Sequence, residues 1–174
     1  MVEQFHWPPL ESNPEIFEEY CQRLGLPEIW GFGELYGFEE DLLAMVPQPV
    51  LGVVVNSERL QASADHEKGS ESTPAHFYMK QHGTLDNACG IIACLHAILN
   101  NLGEDKITLQ EGVLASFNSA CQDKTPDQRA TLLEGLTEFQ QVHASFAAKG
   151  QSEMAQCQDD VKHHFTAFVI NSTG

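Results

Sequence analysis

Residues 81–101 read QHGTLDNACGIIACLHAILNN, and this stretch decides the fold. After Gly90, apolar side chains recur at intervals of three and four residues, at Ile91, Ile92, Leu95, Ile98 and Leu99. This spacing predicts a helix with one buried face. Asp86 or Asn87 is the expected N-cap, so Cys89 is placed in the first turn of the helix.

The position of Cys89 suggests a nucleophile. A thiol in the first turn lies near unpaired backbone N–H groups and the positive end of the helix dipole, and both favour the reactive thiolate. The alternative is a small core residue, since cysteine is often buried. Cys94 should point elsewhere, about 140° around the helix. The remaining cysteines, Cys21, Cys121 and Cys157, follow no glycine-containing turn.

Length and composition indicate one globular domain of ordinary size. The chain has 174 residues, of which 42% are hydrophobic and 20% are charged. No apolar run approaches the ~20 residues needed to span a bilayer, and the N-terminus lacks the features of a secretory signal. The chain has five cysteines, an odd number that does not suggest a disulfide framework. We therefore expect no membrane association and a cytoplasmic location.

The net charge of −16 argues against a nucleic-acid partner, whose phosphates would be repelled. It is compatible with a basic protein or peptide partner that electrostatic attraction steers to the surface. Simple solubility explains the same charge, and charge alone favours that explanation.

The pattern of elements predicts an α+β fold. Helices are expected at residues 14–24, 39–44, 109–118, 126–136 and 137–148. Strands are expected at residues 32–36, 50–55 (fully buried), 76–80 and 164–170. Polar stretches at 56–75 and 149–161 are predicted to be loops.

A cysteine nucleophile needs a base within hydrogen-bond reach. The seven-residue separation between Cys89 and His96 corresponds to a rise of ~10.5 Å along a helix, so we expect His96 to be a hydrogen-bonded core residue. His163 and His164, at the start of the last strand, are better candidates. Adjacent strand residues face opposite sides, so at most one of them serves Cys89, and the pattern does not choose between them. A metal site formed by these histidines with Cys89 or Cys157 is less favoured, because no ligand pair has zinc spacing.

Several segments resemble the ubiquitin C-terminal hydrolases, a family of papain-like cysteine proteases. The active-site segment matches at Lys80-Gln81, Asn87-Ala88-Cys89-Gly90, Leu95-His96-Ala97 and Asn100-Asn101. Further matches are at residues 7–15, 24–26, 36–37, 42–47, 49–50, 125–130 and 164–169. The likeness covers nearly the whole chain and is greatest to the short, single-domain members. It implies a central antiparallel sheet flanked by helices.

The resemblance also implies a role for individual residues. Cys89 would be the nucleophile, and His164, from the His-Phe pair, would be the general base. Gln81 would donate its side-chain amide to the oxyanion, together with the backbone N–H of Cys89. Leu10 and Glu11 would help to hold ubiquitin.

The resemblance further implies that residues 1–174 form a single catalytic domain, with a crossover loop at 149–162 that limits leaving groups to small or unfolded ones. Seven residues separate Gln81 from Cys89, a longer turn than the family usually has. The family's third catalytic residue is an aspartate on the strand after the histidine. The chain ends ten residues after His164, so we expect that aspartate and the final strands to be missing.

These observations predict a monomeric cysteine deubiquitinase that hydrolyses small adducts from the C-terminal glycine of ubiquitin or a ubiquitin-like protein. No cofactor or metal is expected. The alternative is a truncated, weakly active or inactive module that still binds ubiquitin.

Overall fold

Six helices and two strands are present in a computed structural model that describes residues 5–58, 75–149 and 163–170. The helices are α1 (Pro14–Leu24), α2 (Glu40–Leu43), α3 (Cys89–Leu99), α4 (Val113–Ala120), α5 (Pro126–Glu134) and α6 (Thr137–Ala147). The strands are β1 (Gly52–Glu58) and β2 (His163–Val169). The predicted α+β class is confirmed. The predicted crossover loop at 149–162 lies, apart from Lys149, outside the described residues.

The ends of α1 and α5 follow their sequence signals. The side chain of Asn13 accepts a hydrogen bond from Glu15 N–H at 2.9 Å, and Gly25 ends the helix with φ 117°, a left-handed conformation that glycine adopts readily. At α5, Thr125 and Gln128 form a reciprocal capping box. Both helices begin with proline and lie close to their predicted ranges.

Two of the predicted strands are wrong. Side chains, and not a neighbouring strand, form hydrogen bonds with the backbone of these two segments. In the first segment, 32–36, the N–H of Phe32 donates to the carboxylate of Glu18 on α1 at 3.2 Å. The second segment, 76–80, is bound by the side chains of His96 on α3 and of Asn100 at its C-terminal cap. The start of α4 was also predicted too early, because Gln110 N–H bonds to Gly25 C=O instead of entering the helix.

Strands β1 and β2 form an antiparallel ladder that runs from Gly52 opposite Val169 to Glu58 opposite His163. One face of this pair packs against α3. On the other face Val53 and Val55 are 41% and 39% exposed, so the prediction of a fully buried strand is wrong. The reason is that the described residues cover this sheet on one side only.

Helix α3 lies at the centre of the hydrophobic core. Nine of its eleven residues are buried, including Ala93 and Cys94, which lie outside the predicted apolar face. The expectation of one buried face is therefore wrong: the helix is surrounded by α1, β1, β2 and the segment at 77–79. A helix that is apolar on all sides is typical of such a position.

His143 on α6 is fully buried and joins three parts of the chain. Its Nε2 lies 2.7 Å from the carbonyl of Pro8, and its Nδ1 lies 3.3 Å from the hydroxyl of Tyr20 on α1. A carbonyl only accepts, so Nε2 carries the proton and Nδ1 accepts from Tyr20. Burial lowers the pKa of His143 to about 4, which keeps the ring neutral.

We expect His143 to make the stability of the fold depend on pH. Its pKa is lowered in the folded state, so its contribution is complete above the unfolded value of 6.5 and is lost as the pH falls towards about 4. The difference between the folded and unfolded pKa values corresponds to about 3 kcal/mol in the free energy of unfolding. Urea unfolding between pH 7 and pH 4 should show H143Q to be less stable at pH 7 and less sensitive to acid than the unmodified chain.

His76 is exposed and provides the matched control. We expect H76Q to keep the pH dependence of the unmodified chain. Equal acid sensitivity of H143Q and H76Q would contradict the role assigned to His143.

Candidate active site

Cys89 lies in the first turn of α3, as predicted, and is its first residue; its side chain lies at the edge of the core with 7% of its surface exposed. The N-cap is Ala88, and no side chain caps this end of the helix, so the prediction of Asp86 or Asn87 as the cap is wrong. The chain instead enters the helix through a turn in which Ala88 N–H bonds to Leu85 C=O at 3.0 Å. The thiol therefore lies beside the first backbone N–H groups of α3, which have no acceptor within the helix itself.

The other described cysteines are poorly suited to attack. Burial raises the pKa of Cys94 well above its usual value, and a hydrogen bond with Cys21 adds to the effect. Burial also raises the pKa of Cys121 to about 11. Both groups therefore remain thiols at neutral pH. Cys157 lies outside the described residues.

Contacts at the two ends of α3 show that it runs alongside β2 in the same direction. At the start, a Cβ added to Gly90 would lie 3.5 Å from the ring of Phe165. Towards the other end, a Cβ added to Gly52 would lie 3.8 Å from Ala97 and 3.5 Å from Val169. The first residues of α3 and of β2 are therefore at the same level.

This alignment brings His164 and Cys89 to the same end of the domain, because each directly precedes one of the contacting residues Phe165 and Gly90. His164 is half-buried and His163 is exposed. Phe165 faces α3, so strand alternation places His163 on the α3 side and His164 on the opposite side. The alignment of β2 with α3 thus places His164 level with Cys89. The choice of His164 rather than His163 as the base rests on the family resemblance.

Gln81 lies in the segment that leads to Cys89, and its side-chain amide is engaged by the turn between them. Nε2 donates to the carbonyls of Leu85 and Asp86 at 2.9 and 2.7 Å. Two carbonyl acceptors fix the orientation of the amide, since its oxygen would be repelled there. The predicted oxyanion donor therefore points its N–H groups into the turn at the start of α3.

His96 on α3 and Asn100, the residue that caps its C-terminal end, hold the segment before Gln81, and sequence reasoning missed the role of Asn100. Asn100 donates to Phe77 C=O and accepts from Phe77 N–H, both at 2.8 Å, as a neighbouring strand would. His96 accepts from Met79 N–H at 3.1 Å, which confirms the predicted hydrogen bond, although the ring is half-buried at the edge of the core rather than within it. Burial lowers its pKa to about 4, so its ring stays neutral and able to accept. The one feature of the sequence that pointed to Asn100 was its place in the family motif.

The residues predicted to hold ubiquitin lie before α1. Leu10 is 8% exposed and belongs to the hydrophobic core. Glu11 lines a groove of about 300 Å³, together with Glu15, Glu19 and Lys149. Of the predicted pair, Glu11 is thus the residue that presents a polar group at the surface.

Within the described ranges, no helix is long and apolar enough to cross a membrane. A search of the same ranges finds no group of three or more His, Cys, Asp or Glu side chains placed to hold a metal ion.

Comparison with known proteins gives a consistent match. The family model described as ubiquitin carboxyl-terminal hydrolase, family 1, matches residues 7–174. A ubiquitin carboxyl-terminal hydrolase of Drosophila melanogaster is 31% identical over 172 residues, covering 94% of this chain and 73% of the relative. Isozyme L1 of Macaca fascicularis is 34% identical over 171 residues, covering 92% of this chain and 72% of the relative.

A solved structure has the same fold. The catalytic domain of Trichinella spiralis UCH37, bound to ubiquitin vinyl methyl ester, matches with a TM-score of 0.71 at 22% identity. The match covers 95% of this chain and 70% of that one.

We expect N100A to destabilise the fold, because it leaves the buried N–H and C=O of Phe77 without their partners. The free energy of unfolding should fall by about 2 kcal/mol in urea titrations. Asn118 on α4 provides a half-buried control, and N118A should change stability by less than about 0.5 kcal/mol. Equal effects of the two substitutions would contradict the strand-like role of Asn100.

Proposed function

Because the chain belongs to the family of ubiquitin carboxyl-terminal hydrolases, family 1, it is a thiol-dependent hydrolase, and we propose that Cys89, His164 and Gln81 carry its reaction. The substrate is ubiquitin with a small adduct on its C-terminal glycine. The observation that carries this proposal is the position of Cys89 at the uncapped start of α3, level with the start of β2.

The reaction begins when His164 takes the proton of the Cys89 thiol and the thiolate attacks the carbonyl carbon of the terminal glycine. The carbonyl oxygen becomes an oxyanion, which accepts hydrogen bonds from the Cys89 backbone N–H and the Gln81 amide. His164 then protonates the leaving group, and a thioester remains on Cys89. Water, activated by His164, hydrolyses the thioester and releases ubiquitin and the thiol.

Gln81 enters this scheme by exchanging a hydrogen bond. Its amide donates to Leu85 and Asp86 in the absence of substrate, so one of these bonds must be released when the oxyanion forms. A hydrogen bond to a charged oxygen is stronger than one to a neutral carbonyl, which favours the exchange in the transition state. The base must likewise approach the thiol when substrate binds, since catalytic hydrogen bonds often tighten only in the complex.

The surface charge supports a partner with basic groups. The net charge is −16, and the carboxylates of Glu11, Glu15 and Glu19 line the groove beside α1. The solved relative was captured with a ubiquitin derivative, which supports ubiquitin as the partner here. We propose the cytosol as the compartment, because the four described cysteines are free thiols.

Replacing His164 should separate the two candidate bases. We expect H164N to lower kcat for a fluorogenic ubiquitin C-terminal amide by about 10²-fold to 10⁴-fold, because the general base is lost. H163N, the matched neighbour, should change kcat by less than about threefold. Both variants should bind ubiquitin as the unmodified chain does, measured by titration calorimetry.

The reverse pattern, a large loss in H163N and a small one in H164N, would assign the base to His163 and refute the role of His164. Tight ubiquitin binding by the unmodified chain without any turnover would instead support the binding module and refute the hydrolase mechanism.

A further inference from the structure

The turn between Gln81 and Cys89 is attached to the end of α5 by one carboxylate. Glu134 Oε1 accepts from the N–H of Thr84 at 2.7 Å and from its hydroxyl at 2.9 Å. Thr84 is 6% exposed, so these donors are shielded from water. Bonds from shielded donors to an ionised oxygen are among the stronger hydrogen bonds in proteins.

The backbone of the turn is shaped to receive this carboxylate. Gly83 has φ 62°, in the left-handed region that glycine adopts without strain. A Cβ at Gly83 would overlap Glu134 Oε1, so the absence of a side chain gives the carboxylate its place. Glu134 is itself held, because its backbone carbonyl accepts from Gln140 Nε2 at 2.6 Å.

The other end of α5 binds the chain just before Gln81. Lys80 N–H donates to Pro126 C=O at 3.2 Å, and Arg129 donates to Tyr78 C=O at 2.9 Å. Helix α5 therefore holds the chain on both sides of Gln81, through Pro126 and Arg129 before it and through Glu134 after it.

The amide of Gln81 depends on the same turn. One of its acceptors is the carbonyl of Leu85, the residue next to Thr84. If Thr84 loses its attachment, the Leu85 carbonyl keeps its bond to Ala88 N–H at 3.0 Å, but the chain before it is held less firmly. The orientation of the Gln81 amide would then no longer be fixed before the reaction.

We propose that Glu134 is a positioning residue that holds the turn at 82–86 in place and so fixes the resting position of the Gln81 amide, from which it turns to donate to the oxyanion. The inference rests on the proposed function in one respect, namely that Gln81 is the oxyanion donor. The long turn between glutamine and cysteine makes such an attachment necessary, since extra residues add freedom that must be removed.

The structural part of the proposal is tested without activity. In nuclear magnetic resonance spectra we expect the side-chain NH₂ protons of Gln81 to exchange slowly with water in the unmodified chain. In E134A their exchange should accelerate at least about tenfold, because the hydrogen bonds of the turn open more often. Backbone amides in α3 should keep their protection, which shows that the fold is intact. Unchanged exchange at Gln81 in E134A would overturn the proposal.

The catalytic part is tested by a double-mutant cycle with fluorogenic ubiquitin. We expect E134A to lower kcat about tenfold and to leave KM unchanged. A misplacement of a catalytic group by about 1 Å can lower the rate by about a hundredfold, so the expected loss lies within that range. In the Q81A background E134A should have no further effect, because it acts through Gln81. E134Q keeps an oxygen that can accept from Thr84 and should recover part of the rate.

Glu138, an exposed acid in the first turn of α6, is the matched charge control, and E138A should leave kcat, KM and Gln81 exchange unchanged. The proposal would be overturned if the double variant lost kcat by the product of the two single losses. A change in KM alone in E134A would also overturn it. If Q81A itself has full activity, the role of Gln81 in the proposed function fails. In that case, or if the chain has no turnover at all, the exchange measurement still decides whether Glu134 positions Gln81.

Discussion

The burial of α3 is the constraint on which the rest of the structure depends. Nine of its eleven residues are buried, and the His96 side chain on it bonds to the backbone of Met79. Packing on every side leaves the helix little freedom to slide or rotate, because protein interiors are close-packed. The position of Cys89 at its first residue is therefore set by the core as a whole.

The same helix fixes the groups that would act with the thiol. Through His96 and Asn100 it holds the backbone at 77–79, which leads directly to Gln81. Through Gly90 and Ala97 it aligns β2, which carries His164. The residues proposed as nucleophile, oxyanion donor and base are thus all connected to one rigid element. Such an arrangement suits a reaction that gains much of its rate from fixed geometry.

The sequence was a good guide where the determinant is local. Asn13, Pro14 and Gly25 mark the two ends of α1, Thr125 marks the start of α5, and both helices were predicted closely. The place of Cys89 in the first turn of α3 was also predicted, from the apolar period that follows it and from a cap at Asp86 or Asn87 that the helix does not have. Caps and periodicity act within a few residues, so they are visible in a single sequence.

Features that depend on distant residues were missed. The segment at 76–80 has the composition of a strand, but its partner is Asn100 rather than another strand. The turn before α3 bonds to Glu134, fifty residues away, a contact that the sequence does not indicate. The sequence around His143 does not indicate burial, which arises from the packing of α1 against α6. Long-range contacts of this kind leave no periodic signal in the sequence.

The most direct test of the account is to identify the cysteine that attacks a ubiquitin C-terminal electrophile. The unmodified chain would be incubated with ubiquitin vinyl methyl ester, and the adduct located by mass spectrometry of its peptides. The account predicts a single adduct at Cys89, with Cys21, Cys94, Cys121 and Cys157 unmodified. An adduct at any other cysteine, or a ubiquitin complex that leaves the Cys89 thiol unreacted, would contradict it.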